Sequence, residues 1–558
     1  MNLLKFFPVI LSIILLINCS ENNMKTAFIN GKVFTVNENQ LLAEAVIVEG
    51  NKIVFVGSDS DAEKLIDEST GVIDLKGKLI LPGFIDSHLH FTSGGYYLLG
   101  LNLRPAKSRE EFVQLLSDYI ASREKNPALK GKWITGGRWD HESWKIKEVP
   151  TRELIDGFSQ NTPIFVSRID GHMGLANSKA LELAGITRDT PNPDGGLIMK
   201  DPSSGEPTGI LKDNATDLVT DVIPPKTMEE NVIATMRALD EAKKLGITGI
   251  HDLTRPGQLE AYNKIKNDYN LTCRIYSIWP IDLYQDLVNE NIKTGSGDIY
   301  IRRGGLKGYA DGSLGAKTAW FFEPYANDTT YGLAMDIVSN GDLNEWSIDA
   351  DKNNLQICVH AIGDKANNYM LNVYENIKKN NPEWDRRFRI EHSQHLIPDD
   401  IKRFAEIGVI ASVQPYHAID DGVWAENRIG PERIHYTHPY RSFLENNVTA
   451  AFGTDWPVAP LNPLLGIYAA VTRRTVDDQN PDGWIPEQKI SVEDAIKCYT
   501  LNAAYASFEE EIKGSIEVGK LADLVVLSDD ILTIDPITIK DVNVDMTVFD
   551  GKIIYERK

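Results

Sequence analysis

Four histidines, a lysine and an aspartate stand at the downstream ends of separate apolar runs. His88 and His90 close the run LILPGFIDSHLHF, Lys307 lies in LKGYADGSLG, His360 in QICVHAIGD, His392 in FRIEHSQH and Asp455 in TAAFGTDWP. Residues two apart on a strand point to one face, so His88 and His90 can grip a single metal ion from the same side. Each residue alone has a plainer use. A strand-end histidine commonly hydrogen-bonds within a core, a lone lysine snorkels, and an aspartate after a strand caps a helix. Their shared placement is what points to a metal hydrolase, because polar groups at the carboxyl ends of successive strands build the site of a barrel enzyme.

The elements that must position them follow from the pattern of apolar runs. Eight candidate strands begin near Gly83, Gly246, Thr272, Gly305, Gln356, Phe388, Val409 and Ala450, with helical stretches between them. That alternation predicts an α/β fold, a (β/α)8 TIM barrel over residues 83–511. The gap between the first two strands is too long for one helix and holds strand-like runs, KWITGGRW and TPIFVSRI. A lobe inserted after the first strand, at about 100–240, accounts for it and would overhang the barrel mouth. Short alternating strands with glycine turns occupy residues 26–82 and recur over 512–558, which predicts one composite β-sandwich domain made from both chain ends.

At 558 residues, with 42% hydrophobic and 25% charged residues, the chain has globular composition. Its formal charge of −22 argues against a nucleic-acid surface and against basic-patch binding to anionic lipid. Lys5 precedes the apolar run FFPVILSIILLI, too short to span a bilayer and suited to a signal peptide. The run ends in Leu16-Ile17-Asn18-Cys19-Ser20, resembling a bacterial lipobox with Asn18 where a small residue is usual. Residues 1–19 therefore read as a lipoprotein signal peptide, with Cys19 lipidated and the protein exported and anchored to a bacterial membrane by lipid alone. A plain secretory signal is the alternative. Cys273, Cys358 and Cys498 are far apart in apolar context and read as core thiols.

Taken in order, LPGFIDSHLH, SRIDGHMGLANSKAL, GEPTGILKDNA, LKGYADGSLGAKTAW, VHAIGDKA, RIEHSQHL, SVQP, GTDWPVAPLNPLLGIYAAVTRR and GKLADLVVL resemble the amidohydrolase superfamily. More narrowly they resemble amidohydrolase family 3, which includes N-substituted formamide deformylases. The resemblance implies two divalent ions, zinc by default. His88, His90 and Asp455 would hold one, and His360 and His392 the other. Lys307 would bridge them as an N6-carboxylated lysine, since an ammonium would repel both cations. It further implies cleavage of a non-peptide C–N bond in a small amide, formamide or N-acyl compound by a bridging hydroxide, with Asp455 moving the proton. His172, in RIDGHMG, becomes a substrate or oxyanion contact. Thr454 and Trp456 depart from the family pattern of a serine and a small residue around the aspartate. Trp139 and Asp140, in GGRWDHESW, either receive an apolar acyl or aryl group or pack the lobe onto the barrel. Tyr325, Gln414 and Arg473 are further pocket candidates, while His251 and His395 read as structural. A deaminase or an esterase or lactonase of the same superfamily is the first alternative, and a lipid-anchored non-catalytic binding protein the second. A homo-oligomer is compatible with the sequence.

Overall fold

The computed structural model describes residues 25–558 apart from 126–128, 142–143, 159–160, 169–172, 194–195, 270 and 316. The signal segment with Cys19, and His172, lie outside the described residues. Eight parallel strands form the central sheet: β1 (Phe84–Leu89), β2 (Ile247–Leu253), β3 (Arg274–Pro280), β4 (Ile301–Tyr309), β5 (Gln356–Ala361), β6 (Arg389–His392), β7 (Ile410–Val413) and β8 (Ala450–Phe452). Neighbours in sequence are neighbours in the sheet throughout. Most of these strands are buried on both faces, which explains their near-continuous apolar character.

The sheet curls until β8 meets β1, giving a nearly closed barrel. Just past β8, Asp455 N donates to His88 O (2.7 Å) and His90 N donates to Trp456 O (2.9 Å). Gly453 makes this approach possible: a Cβ there would sit 2.5 Å from His88 N. Inside the barrel Arg389 is fully buried and donates to both oxygens of Glu391, to Ser87 O and to Ser412 Oγ. With Nη1 bonded to His251 Nδ1, all three nitrogens of that guanidinium are hydrogen-bonded, as burial of a charge demands.

Strands from the two chain ends meet in one six-stranded sheet, in the order Lys552–Glu556, Val544–Phe549, Leu524–Leu527, Leu79–Pro82, Lys32–Phe34, Leu42–Ala43. A four-stranded sheet containing Lys25–Ile29 and Ala45–Glu49 packs on it through Phe28, Val46, Val48, Ile80, Leu524 and Val548. This unit is clamped to the barrel by Arg274 at the base of β3. Its guanidinium donates to Asp523 Oδ2 (2.6 Å) and Oδ1 (3.0 Å) and to Asp550 Oδ1 (3.0 Å). Replacing Arg274 by methionine leaves a buried carboxylate uncompensated, so stability falls by about 3–5 kcal/mol. A urea melt of the variant checks this.

Between β1 and β2 the chain forms helix α1 (Phe91–Leu99), then a lobe, then helix α2 (Met228–Ala242). The lobe has its own six-stranded sheet, including Gly136–Trp139 and Phe165–Arg168, and its own core around Phe112, Leu116, Trp139, Trp144 and Ile155. Cys273, Cys358 and Cys498 are buried and unpaired. No helix among the described residues is long and apolar enough to cross a membrane.

Candidate metal centre

The carboxyl ends of the barrel strands converge on a pocket of about 320 Å³ lined by His88, His90, Lys307, His360, His392, His417 and Asp455. Asp455 is its pivot. Its Oδ1 lies 3.6 Å from His88 Nε2 and 3.4 Å from His90 Nε2, while Oδ2 faces His417 Nε2 at 3.9 Å. Two groups of three ligand atoms result: His88, His90 and Asp455, and His392, His417 and Asp455. Within each, the donor atoms lie within 4.8 Å of one another.

These spacings suit a cation. Ligands at about 2.1 Å around a tetrahedral ion sit about 3.4 Å apart. The imidazole atoms also lack other work: His392 Nδ1 and His417 Nε2 are buried with no hydrogen-bond partner. Such orphaned lone pairs are costly unless something fills them. The residues present therefore fit divalent metal, and nitrogen with carboxylate donors suits zinc among others.

The surroundings prepare the ligands. Glu391 Oε2 lies 2.5 Å from His88 Nδ1, which fixes the ring with Nδ1–H donating to the carboxylate and its Nε2 lone pair turned to Asp455. Burial, reinforced by the charge of Lys307, pushes His88 down to about 4 despite Glu391, so the ring is neutral and able to ligate. Burial also holds His392 well below the ordinary imidazole range. Burial opposes ionisation of Asp455, but the hydrogen bond with His90 and the neighbouring imidazoles outweigh it and leave the carboxyl below its usual range. His392 (φ 74°) and Asp455 (φ 57°) both adopt the left-handed region, at a cost of roughly 1–2 kcal/mol each for residues with a Cβ. Strained backbone at two candidate ligands marks a site that the surrounding packing holds in place.

Lys307 is 5% exposed, on β4. Burial lowers it to about 8 even though Glu391 and Asp455 pull the other way. Its Nζ makes no hydrogen bond or ion pair among the described residues and lies 5.0 Å from the centroid of the Tyr309 ring. His360 shares the pocket, its ring 4.5 Å from that of His392, but its Nε2 donates to Gly312 O (3.0 Å) and it belongs to neither group of three.

Several pocket candidates from the sequence sit elsewhere. Trp139 is fully buried in the lobe core, its Nε1 donating to Val166 O (2.9 Å), so it packs the lobe and does not face the metal pocket. Tyr325 is buried with its hydroxyl donating to Ala319 O (3.0 Å). Arg473 is fully buried, donates to the carbonyls of Trp484 (2.7 Å) and His438 (3.0 Å), which fixes a loop, and does not line the metal pocket. Gln414 is buried at the end of β7, donating to Ser412 O (3.2 Å). Asp140 lies 3.5 Å from Arg168 in the lobe. His251 accepts from Arg389 Nη1 (2.9 Å) through Nδ1, and His395 meets Thr437 Oγ1 at 2.8 Å, so both have structural partners.

Two residues were not anticipated. His417 lies on the short helix Pro415–Asp421 that follows β7, and only the motif SVQPYH, a histidine four residues past an apolar strand, hinted at it. Glu391 precedes His392 in RIEH and reads locally as an ordinary strand acid. Changing Glu391 to glutamine removes the anionic partner of His88, so metal affinity falls about 10–100-fold. Titration against a chromophoric chelator measures it.

A nearly closed parallel barrel with imidazole and carboxylate donors at its strand ends defines a metal-dependent hydrolase. The chain belongs to the amidohydrolase family, whose profile matches residues 71–555. It is 37% identical to Protein LONG AFTER FAR-RED 3 of Arabidopsis thaliana, over 89% of this chain and 86% of that one. It is 26% identical to N-substituted formamide deformylase of Arthrobacter pascens, over 95% of this chain and 98% of that one. Among solved structures, an uncharacterized metal-dependent hydrolase from Pyrococcus horikoshii superposes with a TM-score of 0.77 at 28% identity, covering 92% of this chain and 99% of that one.

Proposed function

We propose that this hydrolase cleaves a C–N bond in a small non-peptide amide, formamide or N-acyl compound, with two divalent ions, zinc by default, held in its pocket. The observation that carries this reading is the two-sided use of Asp455: one oxygen faces His88 and His90, and the other faces His417. Lys307 supports it. A buried amine lowered to about 8 is deprotonated often enough near neutrality to add to carbon dioxide, forming an N–C bond with loss of a proton. The resulting carbamate would supply two oxygens between the ligand groups. When bound, divalent ions lower the pKa of water toward neutrality and polarise a carbonyl oxygen. In this reading Asp455 accepts the proton released as water attacks the carbonyl carbon, and hands it to the departing amine nitrogen. The resemblance to N-substituted formamide deformylase supports an amide over a heterocycle.

The test is release of primary or secondary amine from N-formyl and N-acyl amines by metal-replete protein, beside matched esters and lactones. Amine release with about two ions per chain is expected. Turnover of esters alone would replace the amide assignment. Membrane anchoring through Cys19 belongs to the same reading, and incorporation of labelled palmitate in the bacterial host is expected to vanish in Cys19→Ala.

A further inference from the structure

A second cavity, of about 270 Å³, shares no lining residue with the metal pocket. It lies where α1, the lobe strand Gly136–Trp139 and α2 come together. Three cations line its wall, each beside a tyrosine ring. Arg138 Cζ lies 5.3 Å from the ring centroid of Tyr97, Lys226 Nζ 5.3 Å from that of Tyr96, and Arg123 Cζ 5.7 Å from that of Tyr119. The one acid among the described residues of the wall, Glu230, has its Oε2 occupied by Thr227 N (2.9 Å) in the capping box of α2.

Neither Arg138 nor Lys226 makes a hydrogen bond or ion pair among the described residues. Arg123 differs, donating to Tyr119 Oη (3.2 Å) and to a backbone carbonyl, which sets it in place as a fixed positive wall. Burial and the nearby Arg123 depress Lys226, although Glu230 opposes them. In a chain of net charge −22, three cations facing one carboxylate in a recess is an unusual concentration of positive potential. Tyr96, Tyr97, Tyr119 and the leucines supply most of the remaining wall, with Ser93, Asn102 and Thr135 as neutral polar groups. A guanidinium fork and an ammonium above tyrosine rings suit a carboxylate attached to a flat hydrocarbon body.

We propose that this cavity is a binding site for a small aromatic carboxylate, its anionic end held by Arg138 and Lys226 and its ring set among the tyrosines. The site bears on the metal centre through α1. That helix starts directly after His90, and Gly94 and Gly95 let it pack closely: a Cβ on Gly94 would strike Trp456, the neighbour of Asp455. An occupant holding the lobe against α1 therefore biases the segment that carries His90, and such coupling is reciprocal. The proposal does not depend on which bond the metal centre cleaves.

Isothermal titration of the metal-replete protein with phenylacetate tests it, with 2-phenylethanol as the uncharged counterpart. Because a carboxylate can also seek the metal ions, the titration is repeated on Arg138→Gln, Lys226→Met and His90→Asn. Arg138 and Lys226 are exposed residues, and an unchanged thermal midpoint shows that both variants fold. Binding of phenylacetate that persists in His90→Asn and weakens at least about tenfold in Arg138→Gln and in Lys226→Met is expected. Equal binding of 2-phenylethanol, binding lost only in His90→Asn, or no binding at millimolar concentration would each overturn the proposal.

Discussion

Asp455→Asn lowers amide turnover by about 10⁴-fold and reduces the bound metal together with it. Both losses follow from one geometry. The carboxylate reaches His88 and His90 with one oxygen and His417 with the other, so among the described residues it is the side chain common to both candidate ligand groups. Asparagine has nearly the same shape, but it carries no charge and must turn an amide NH2 toward one of the two groups. It also cannot hold a proton between water and the leaving amine. Burial opposes charge on Asp455, yet the imidazoles keep it ionised, so the wild-type group is a carboxylate throughout the neutral range. Atomic absorption on the purified variant, with single-turnover assays at saturating zinc, separates the two effects. If zinc restores full occupancy, the remaining loss measures the proton-transfer role. Wild-type turnover in the variant would remove Asp455 from the mechanism.

The second large effect is expected at Lys307. Lys307→Ala should lose at least one of about two ions per chain and lower turnover by about 10³-fold or more. A protonated lysine in a pocket bounded by imidazoles repels cations, whereas a carbamate attracts them, so under the proposed function the wild-type residue would contribute in its carboxylated form. The alanine variant leaves room at the end of β4 for a small carboxylic acid, which offers two oxygens where the proposed carbamate would place its own. Millimolar propionate is therefore expected to restore part of both ion content and activity, and mass spectrometry of the intact wild-type protein under bicarbonate should show the added carbon dioxide. Full ion occupancy and activity in the alanine variant without any added acid would refute the bridging role.

Much of this molecule is legible in its sequence because strands buried on both faces must be apolar, and a polar residue breaking such a run stands out. All eight barrel strands lie where the apolar runs place them, although β4 starts at Ile301, upstream of the run read from Gly305. The period of two in a strand likewise makes His88-Leu89-His90 readable as a paired grip.

What the chain order does not disclose is which side chains share a recess when they come from elements with no common period. His417 reaches Asp455 because β7 and β8 are adjacent and the helix after β7 begins with Pro415, a relation absent from any local pattern. Glu391 alternates with His392 along β6 and meets His88 from across the barrel, a contact 303 residues apart. Trp139 and Arg473 look like ligands for a substrate in one dimension, but the lobe core and three backbone carbonyls claim them in three. The sequence by itself determined the barrel, the family and the kinds of donor atom available, since these rest on hydrophobic period and side-chain chemistry. Only the tertiary structure decided which donors face one another, because that depends on sheet order, strand curvature and the turns that end each strand.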